Sequence, residues 1–386
     1  MTSTAVPSSV SEDLEPAHAD LITATLPLVG ANIDAITRSF YQRLFEAHPS
    51  LLRNLFNRGN QAQGAQQRAL AASIATFATH LVNPDLPHPA ELLSRIGHKH
   101  ASLGITADQY PIVHQHLFAA IVEVLGADTV TAEVAEAWDR VYWIMADTLI
   151  DMERALYEEA GVAAGDVYRR ARVTGRVDDP SGAVLVTVGG PAATFEPGQY
   201  VSVGVTLPDG ARQLRQYSLV NASGGGELTF AVKPAGEVSG WIRDNLRVGD
   251  VIDITVPFGD LPAPQPGAPL VLISAGIGVT PMLGILEAVL DRAPGTAVQV
   301  LHADRSEAAH PLRERQRELV ERLPNATLQL WYEDLLSLDG VELPADAEVY
   351  LCGNDGFVRA VRDQLVSRGV TRVHCELFSP NDWLLS

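Results

Sequence analysis

The hydrophobic period changes twice along the chain, and this restricts the fold more than any single motif. From about Ala17 to Glu159, apolar residues recur three and four positions apart, as in Ile33, Ile36, Phe40 and Leu44 and again in Trp138, Val141, Ile144, Met145 and Leu149. That spacing lines one face of an α-helix. Gly and Pro fall at breaks (Pro49, Gly59, Gly64, Pro84 to Pro89, Gly104, Gly126), so the region reads as an all-α domain over 17–160, preceded by a loose Ser- and Thr-rich tail over 1–16. After the small-residue stretch Gly161–Gly165 the period becomes two. Val184, Val186 and Val188, then Tyr200, Ser202 and Gly204, then Leu228, Phe230 and Val232 form short runs bounded by Pro-Gly, Pro-Asp-Gly and Gly-Gly-Gly. This predicts a small antiparallel β-barrel over 166–265, interrupted by one helix near Val238–Asn245. Beyond the Pro-rich Pro262–Pro269, buried strands alternate with helices: strands at Val271–Ile273, Val298–Leu301, Thr327–Trp331, Val349–Leu351 and Val373–Glu376, helices at Thr280–Leu290, Pro311–Leu323 and Phe357–Ser367. The alternation predicts a doubly wound α/β domain with a parallel sheet over 266–386.

Charge narrows the partners. The chain carries 28 basic against 47 acidic residues, a net charge of −19, which disfavours nucleic acid and anionic membrane surfaces. No run of 18 apolar residues suggests a membrane span. The first 20 residues contain Glu12, Asp13, Glu15 and Asp20 and no Lys or Arg, the wrong charge for a secretory or transit signal, so a cytoplasmic protein is expected. Cys352 and Cys375 are the two cysteines, too few for a disulfide framework or a Cys-rich metal site.

The string Ser274-Ala275-Gly276-Ile277-Gly278-Val279-Thr280-Pro281-Met282 follows a buried strand and opens a helix. Glycines there admit a ligand close to the backbone, and a helix N-terminus favours phosphate. The string resembles the pyridine-nucleotide motif of the ferredoxin-reductase-like superfamily. Its other motifs occur in order: Pro197-Gly198-Gln199-Tyr200, Arg215-Gln216-Tyr217-Ser218, Gly236-Glu237-Val238-Ser239 and Leu351-Cys352-Gly353, then Glu376 and Phe378. The resemblance implies FAD. Arg215 would meet its phosphate, Tyr217 pack on the ring and Ser218 reach N5, with Tyr200, Gln216, Gly236, Val238 and Ser239 around it. It also implies NAD(P)H on Gly276, Gly278, Thr280, Pro281, Cys352 and Gly353, with Glu376 and Phe378 by the isoalloxazine. Asn354 and Ser379 stand where such proteins commonly have Pro and Gly. Cys352 reads either as a reactive thiol or as a small buried residue at a strand end. Asp304 and Arg305 pull opposite ways on NADH against NADPH.

The helical third holds His80, His88, His98, His100, His114 and His116. His98 and His100 are two apart and face nearly opposite ways on one helix. The runs Phe40–Phe45, Leu55-Phe56-Asn57, Gln66–Leu70, Ile96–His100, Gln109-Tyr110 and Asp151–Arg154 resemble in order the haem domain of flavohaemoglobins, in which a globin precedes a flavin reductase. The resemblance implies haem b with His100 as proximal iron ligand, supported by Glu153 and Tyr110. Tyr41, with help from Gln66, would hydrogen-bond bound O2. Leu70 would crowd the iron and Phe56 pack on the porphyrin. The implied activity is nitric oxide dioxygenation, with O2 and NO as small-molecule partners and no obligate protein partner. A sensor or store of O2 or NO kept ferrous by its own reductase, a flavin, quinone or peroxide reductase, and an electron-transfer module without haem are the competing readings.

Overall fold

The computed structural model describes residues 14–62, 64–189, 194–344 and 346–378. Residues 1–13 of the expected tail lie outside these, and Pro16 belongs to the first helix. Seven helices form the N-terminal unit: α1 (Pro16–Ala47), α2 (Pro49–Asn54), α3 (Arg58–Ala62), α4 (Ala65–Val82), α5 (Ser94–Leu103), α6 (Tyr110–Leu125) and α7 (Ala132–Glu159). By length and composition alone α1 could cross a bilayer. It serves instead as a core helix, burying Ile22, Val29, Ile36, Phe40, Tyr41 and Leu44 against α4, α6 and α7. Proline opens α1 and α2, where its missing N–H costs no helical bond.

The middle unit is one antiparallel six-stranded sheet of β1 (Tyr168–Asp178), β2 (Val184–Gly189), β3 (Tyr200–Thr206), β4 (Arg212–Ser218), β5 (Glu227–Val232) and β6 (Val251–Thr255). Its order is β4-β3-β6-β1-β2-β5. A bridge between Leu219 and Phe230 joins the two outer strands, so the sheet curls shut around Val173, Val186, Val203, Phe230 and Ile254. Helix α8 (Glu237–Asn245) plugs it with Val238 and Ile242.

The last unit holds five parallel strands: β7 (Leu270–Ala275), β8 (Val298–Asp304), β9 (Ala326–Tyr332), β10 (Glu348–Gly353) and β11 (Val373–Leu377), in the order β11-β10-β7-β8-β9. Helices α9 (Val279–Arg292) and α10 (Arg313–Arg322) share one apolar core with the sheet, and α11 (Asp355–Ser367) a second. Both faces are therefore covered, which is why β7 and β10 are almost wholly apolar. The order reverses between β7 and β10, and ligands of such sheets bind in that crevice. Asn354 has a local role: its side chain accepts the backbone N–H of Phe357 at 3.0 Å and caps α11. Ser379 lies outside the described residues.

Candidate haem, flavin and nucleotide sites

Helix α5 brings His100 to an acid on α7. At Gly97 the two helices approach so closely that a Cβ would overlap the sulfur of Met152. That contact sets His100 beside Glu153. The Nδ1–H of His100 donates to Glu153 Oε1 at 2.8 Å, and the Tyr110 hydroxyl donates to the same oxygen at 2.5 Å. Glu153 is 2% exposed. Burial and the adjacent Glu153 charge push the Tyr110 phenol far above its ordinary range, so it stays a donor. Tyr142 fixes this turn by donating to the Tyr110 carbonyl at 2.7 Å. His100 Nε2 takes no hydrogen bond among the described residues, and this arrangement leaves it the lone pair that an iron needs. His98 faces the other way. Its Nδ1 accepts the backbone N–H of Gly259, from the middle unit, at 3.1 Å.

Tyr41, on α1, is 5% exposed. Its ring lies 4.7 Å from Phe40, 5.5 Å from Phe45 and 5.9 Å from Phe56. Burial raises its pKa, and the neighbouring Gln61 side chain offsets part of that. Gln61 Oε1 accepts from Gln67 at 3.0 Å, while Gln61 Nε2 is buried without a partner among the described residues. Phe56 and Leu70 sit half-buried in the same apolar cluster. The side chain of Gln66, the expected second polar group, lies outside the described residues. Gln61 went unremarked in the sequence because it stands in a Gln-rich run that periodicity cannot resolve. An imidazole nitrogen with no hydrogen bond, a buried amide donor with no partner among the described residues, and an apolar cluster that holds Tyr41, Phe56, Leu70 and Tyr110 together are groups that fit haem and a small polar ligand. Three other histidines of this unit have local partners: His114 meets Asp139 at 2.7 Å, His80 meets the Pro87 carbonyl at 3.0 Å and His88 caps a turn.

The flavin motifs meet on the hairpin of β3 and β4. Tyr200 pairs with Ser218 and Val203 with Arg215. Gly198 bends the entry to β3 with φ +92°, and a Cβ there would stand 2.7 Å from Leu261. Tyr217 stacks on Phe230 at 5.5 Å. Its hydroxyl is buried with no partner among the described residues, an orphan that a flavin would satisfy. Burial lowers the Arg215 pKa, yet no value in reach of neutral pH discharges a guanidinium. Gln216 Nε2 donates to Ser202 Oγ at 2.9 Å. Ser239 Oγ accepts the N–H groups of Ala235 and Gly236, both at 2.9 Å, shaping the loop ahead of α8, while Val238 is buried in the barrel. Glu376 is buried at the end of β11, and Phe378 is 49% exposed.

The nucleotide motifs meet at the switch point. Gly276 has φ +53°, and a Cβ on Gly278 would stand 2.5 Å from the Cys352 carbonyl oxygen. The turn from β7 into α9 therefore lies directly on the end of β10. Thr280 Oγ1 donates to the Ile277 carbonyl at 2.9 Å, and Pro281 sits in the first turn of α9. Cys352 is fully buried, which agrees with the small-residue reading. Asp304 Oδ1 takes the Arg305 N–H at 2.7 Å, while its Oδ2 is buried without a partner among the described residues.

Helix α5 touches both other units. The Tyr168 hydroxyl donates to the Leu103 carbonyl at 2.8 Å, Ser202 Oγ to Ser102 Oγ at 3.1 Å, and Arg95 to the Cys375 carbonyl at 2.6 Å. The helix that carries His100 thus lies between the haem cleft and the flavin hairpin.

Comparison with known proteins places all three units. The globin model matches residues 38–149, the oxidoreductase FAD-binding domain 187–262 and the oxidoreductase NAD-binding domain 272–337. A flavohemoprotein of Rhizobium meliloti is 37% identical over 397 residues, covering 94% of this chain and 97% of that one. The crystal structure of a Malassezia yamatoensis flavohemoglobin with bound FAD and haem superposes with a TM-score of 0.88 at 34% identity, covering 95% of this chain and all of that one. The FAD/NAD-binding domain of a Vibrio cholerae nitric oxide dioxygenase aligns at a TM-score of 0.52 and 32% identity, over 54% of this chain and 98% of that domain. A globin unit carrying a haem cleft, followed by FAD- and NAD-binding oxidoreductase units and matched over nearly its full length, makes this chain a member of the flavohemoprotein family.

Proposed function

We propose that the chain is a nitric oxide dioxygenase, oxidising NO to nitrate with O2 at the expense of NAD(P)H. We further assign the haem unit to 17–160, the FAD unit to 166–265 and the nucleotide unit to 266–386. Haem supplies the iron at which the two gases react, and FAD converts a two-electron donor into single electrons.

Each wall of the cleft has a role in this reading. His100 holds the iron through Nε2. Glu153 keeps the Nδ1 proton in place and makes the imidazole more basic, and Tyr110 holds that carboxylate in position. Tyr41 donates to the ligand in the distal pocket, Gln61 supplies a second donor, Phe56 lies on the porphyrin and Leu70 restricts the space. On the reductase side Arg215 neutralises flavin phosphate, and Gln216, Tyr217 and Ser218 line the ring. Gly276, Gly278, Thr280, Cys352 and Gly353 let the nucleotide lie close to backbone. The unpartnered Asp304 oxygen favours NADH, whose ribose hydroxyls can donate to it where a 2′-phosphate would be repelled.

The observation that carries the reading is the His100–Glu153–Tyr110 cluster on a helix docked against the flavin hairpin. A reservoir of O2 needs neither a strongly electron-donating proximal ligand nor a built-in reductase. Purified haem- and FAD-loaded protein in aerated buffer with NADH should consume NO and yield matching nitrate, dependent on both NADH and O2. Persistence of NO while NADH reduces the haem would refute the dioxygenase and favour a sensor.

A further inference from the structure

Helix α5 lies where the three units meet, and Arg95 on it reaches both of the others. Its Nη2 donates to the Cys375 carbonyl of β11 at 2.6 Å, and its Nε lies 3.8 Å from Asp260 in the middle unit. Three residues on, and so on the same helix face, His98 accepts the N–H of Gly259 at 3.1 Å. Two side chains of α5 therefore hold the Gly259-Asp260 turn, and one of them continues to the nucleotide unit.

The Cys375 carbonyl is open to such a bond for a reason of topology. β11 is the outer strand of its sheet, with β10 as its neighbour. The Val349 N–H bonds to the Arg372 carbonyl, so alternation along the strand turns the Cys375 carbonyl away from β10. An outer strand presents a row of such groups until another element covers it. This strand also carries Glu376, which pairs with Cys352 of the nucleotide motif and is buried. Burial pushes the Tyr200 phenol well above its ordinary range; the charges of Glu376 and Asp260 add to this, while a hydrogen bond with Ser102 and the charge of Arg95 oppose it. Residues of all three units thus share one buried polar node, and Arg95 brings a cation to it.

The haem and flavin units are also docked elsewhere. Gln213 on β4 donates to the carbonyls of Leu52 and Arg53 at 3.2 and 3.0 Å, and Arg58 pairs with Asp209 and Glu237. Loss of Arg95 should leave that seam in place and release β11.

We propose that Arg95 is a positioning residue for the reductase: a side chain of the haem unit that latches the last strand of the nucleotide unit and so keeps Glu376 beside the flavin hairpin. This rests on the placement of Glu376 by the isoalloxazine and extends it. The helix that carries His100 thereby also sets the nicotinamide end of the molecule.

Two readouts test the latch in the full chain loaded with haem and FAD. One is reduction of the flavin by NADH in anaerobic stopped flow. The other is labelling of half-buried Cys375 by a thiol reagent, with buried Cys352 as internal reference. Arg95→Met should slow flavin reduction by about tenfold and speed Cys375 labelling by about tenfold, the scale of one charge-assisted hydrogen bond. Burial pushes the Cys375 thiol up, and Arg362 and Arg95 oppose that. Loss of the Arg95 charge alone would therefore slow labelling, and only release of the strand speeds it. Arg95→Lys keeps a donor for the carbonyl and should stay near wild type in both readouts. Unchanged FAD content and an intact Soret band establish that each variant is folded. Unchanged or slower labelling in Arg95→Met, or a wild-type rate of flavin reduction, overturns the latch. A wild-type rate of flavin reduction in Glu376→Ala would instead overturn the placement of Glu376.

Discussion

On the proximal side of the haem cleft, the polar groups around His100 are all committed. Its Nδ1 is bonded to Glu153, Glu153 to Tyr110, and Tyr142 to the Tyr110 backbone. On the distal side, Tyr41 is buried among aromatic rings with the Gln61 side chain offsetting part of that burial, and an amide donor of Gln61 has no partner among the described residues. A closed network fixes one tautomer and one ring orientation, so its work is done before any ligand arrives. An unsatisfied donor in an apolar cleft gains its bond only when a ligand arrives, so its contribution is spent on that ligand. The proximal wall is accordingly expected to control the iron, and the distal wall the residence of what binds there.

The largest test of this division removes the proximal ligand. His100→Gly should lower NO consumption by ~100-fold or more, since no other described histidine can reach the same position. Added imidazole should restore part of the activity and of the ferric spectrum. Failure of imidazole to rescue would point to collapse of α5 rather than loss of ligation.

Glu153→Gln comes next. The amide can still accept from Nδ1 but carries no charge, so the bond survives and the electronic push does not. Turnover should fall by about tenfold, the lower end for an altered second partner of a metal ligand. The iron–histidine stretch should move to lower frequency and the haem midpoint potential should rise. An unchanged stretch would mean that Glu153 positions the ring without polarising it. O2 release should hardly change, and that insensitivity is the sharper half of the prediction.

Tyr41→Phe tests the opposite wall. It should speed O2 release by about five- to tenfold, the worth of one net hydrogen bond, and leave the iron–histidine stretch where it was. Gln61→Leu should have a smaller effect in the same direction. If the two substitutions are additive, each group bonds the ligand independently. If Gln61→Leu has no effect in the Tyr41→Phe background, Gln61 acts by orienting the phenol.

These walls differ also in how far the sequence disclosed them. For the proximal set, the period of α5 only put His98 and His100 on opposite faces, and the choice of His100 and Glu153 rested on the resemblance to the haem domain. What the sequence could not supply was the reason they meet, the contact of Gly97 on α5 with Met152 on α7, which depends on two helices distant in the chain packing together. Of the distal set, Tyr41 lies on the long α1, while Gln61 comes from the five-residue α3 in a Gln-rich run, where the period is too brief to say which amide turns inward. The reductase strands were legible because short alternating runs are separated by turn residues with a fixed conformational purpose, Gly198 among them. The seam between units was not legible at all. Gln213, Arg58 and Ser102 look like ordinary surface polar residues until a second unit covers them. Asn354, a departure from the flavin-reductase pattern in sequence, proved to be a helix cap, a role that any Asn at a strand-to-helix turn can fill.

The smallest effect concerns the histidine that turned away from the haem. His98 is buried at the seam and accepts the Gly259 N–H, which it can do only when Nδ1 is unprotonated. Burial lowers its pKa below 6.5, while the nearby charges of Asp260 and Glu159 pull the other way. A histidine depressed in the folded protein binds protons more readily when unfolded. Its stabilising effect is therefore complete above pH 6.5 and is lost as pH falls through the folded value. His302 and His310 are also depressed by burial and destabilise the nucleotide unit in acid, so the total pH dependence cannot be assigned to one residue. The comparison with His98→Gln can be, because a glutamine oxygen can accept the same N–H without titrating. Between pH 7.5 and 5.0 the wild-type protein should lose about 1–2 °C more in melting temperature than the variant. Parallel melting curves across that range would mean that the seam tolerates a charged His98, with Asp260 supplying its counter-charge. Haem spectra should be the same in both proteins throughout, since His98 lies on the face of α5 opposite to His100.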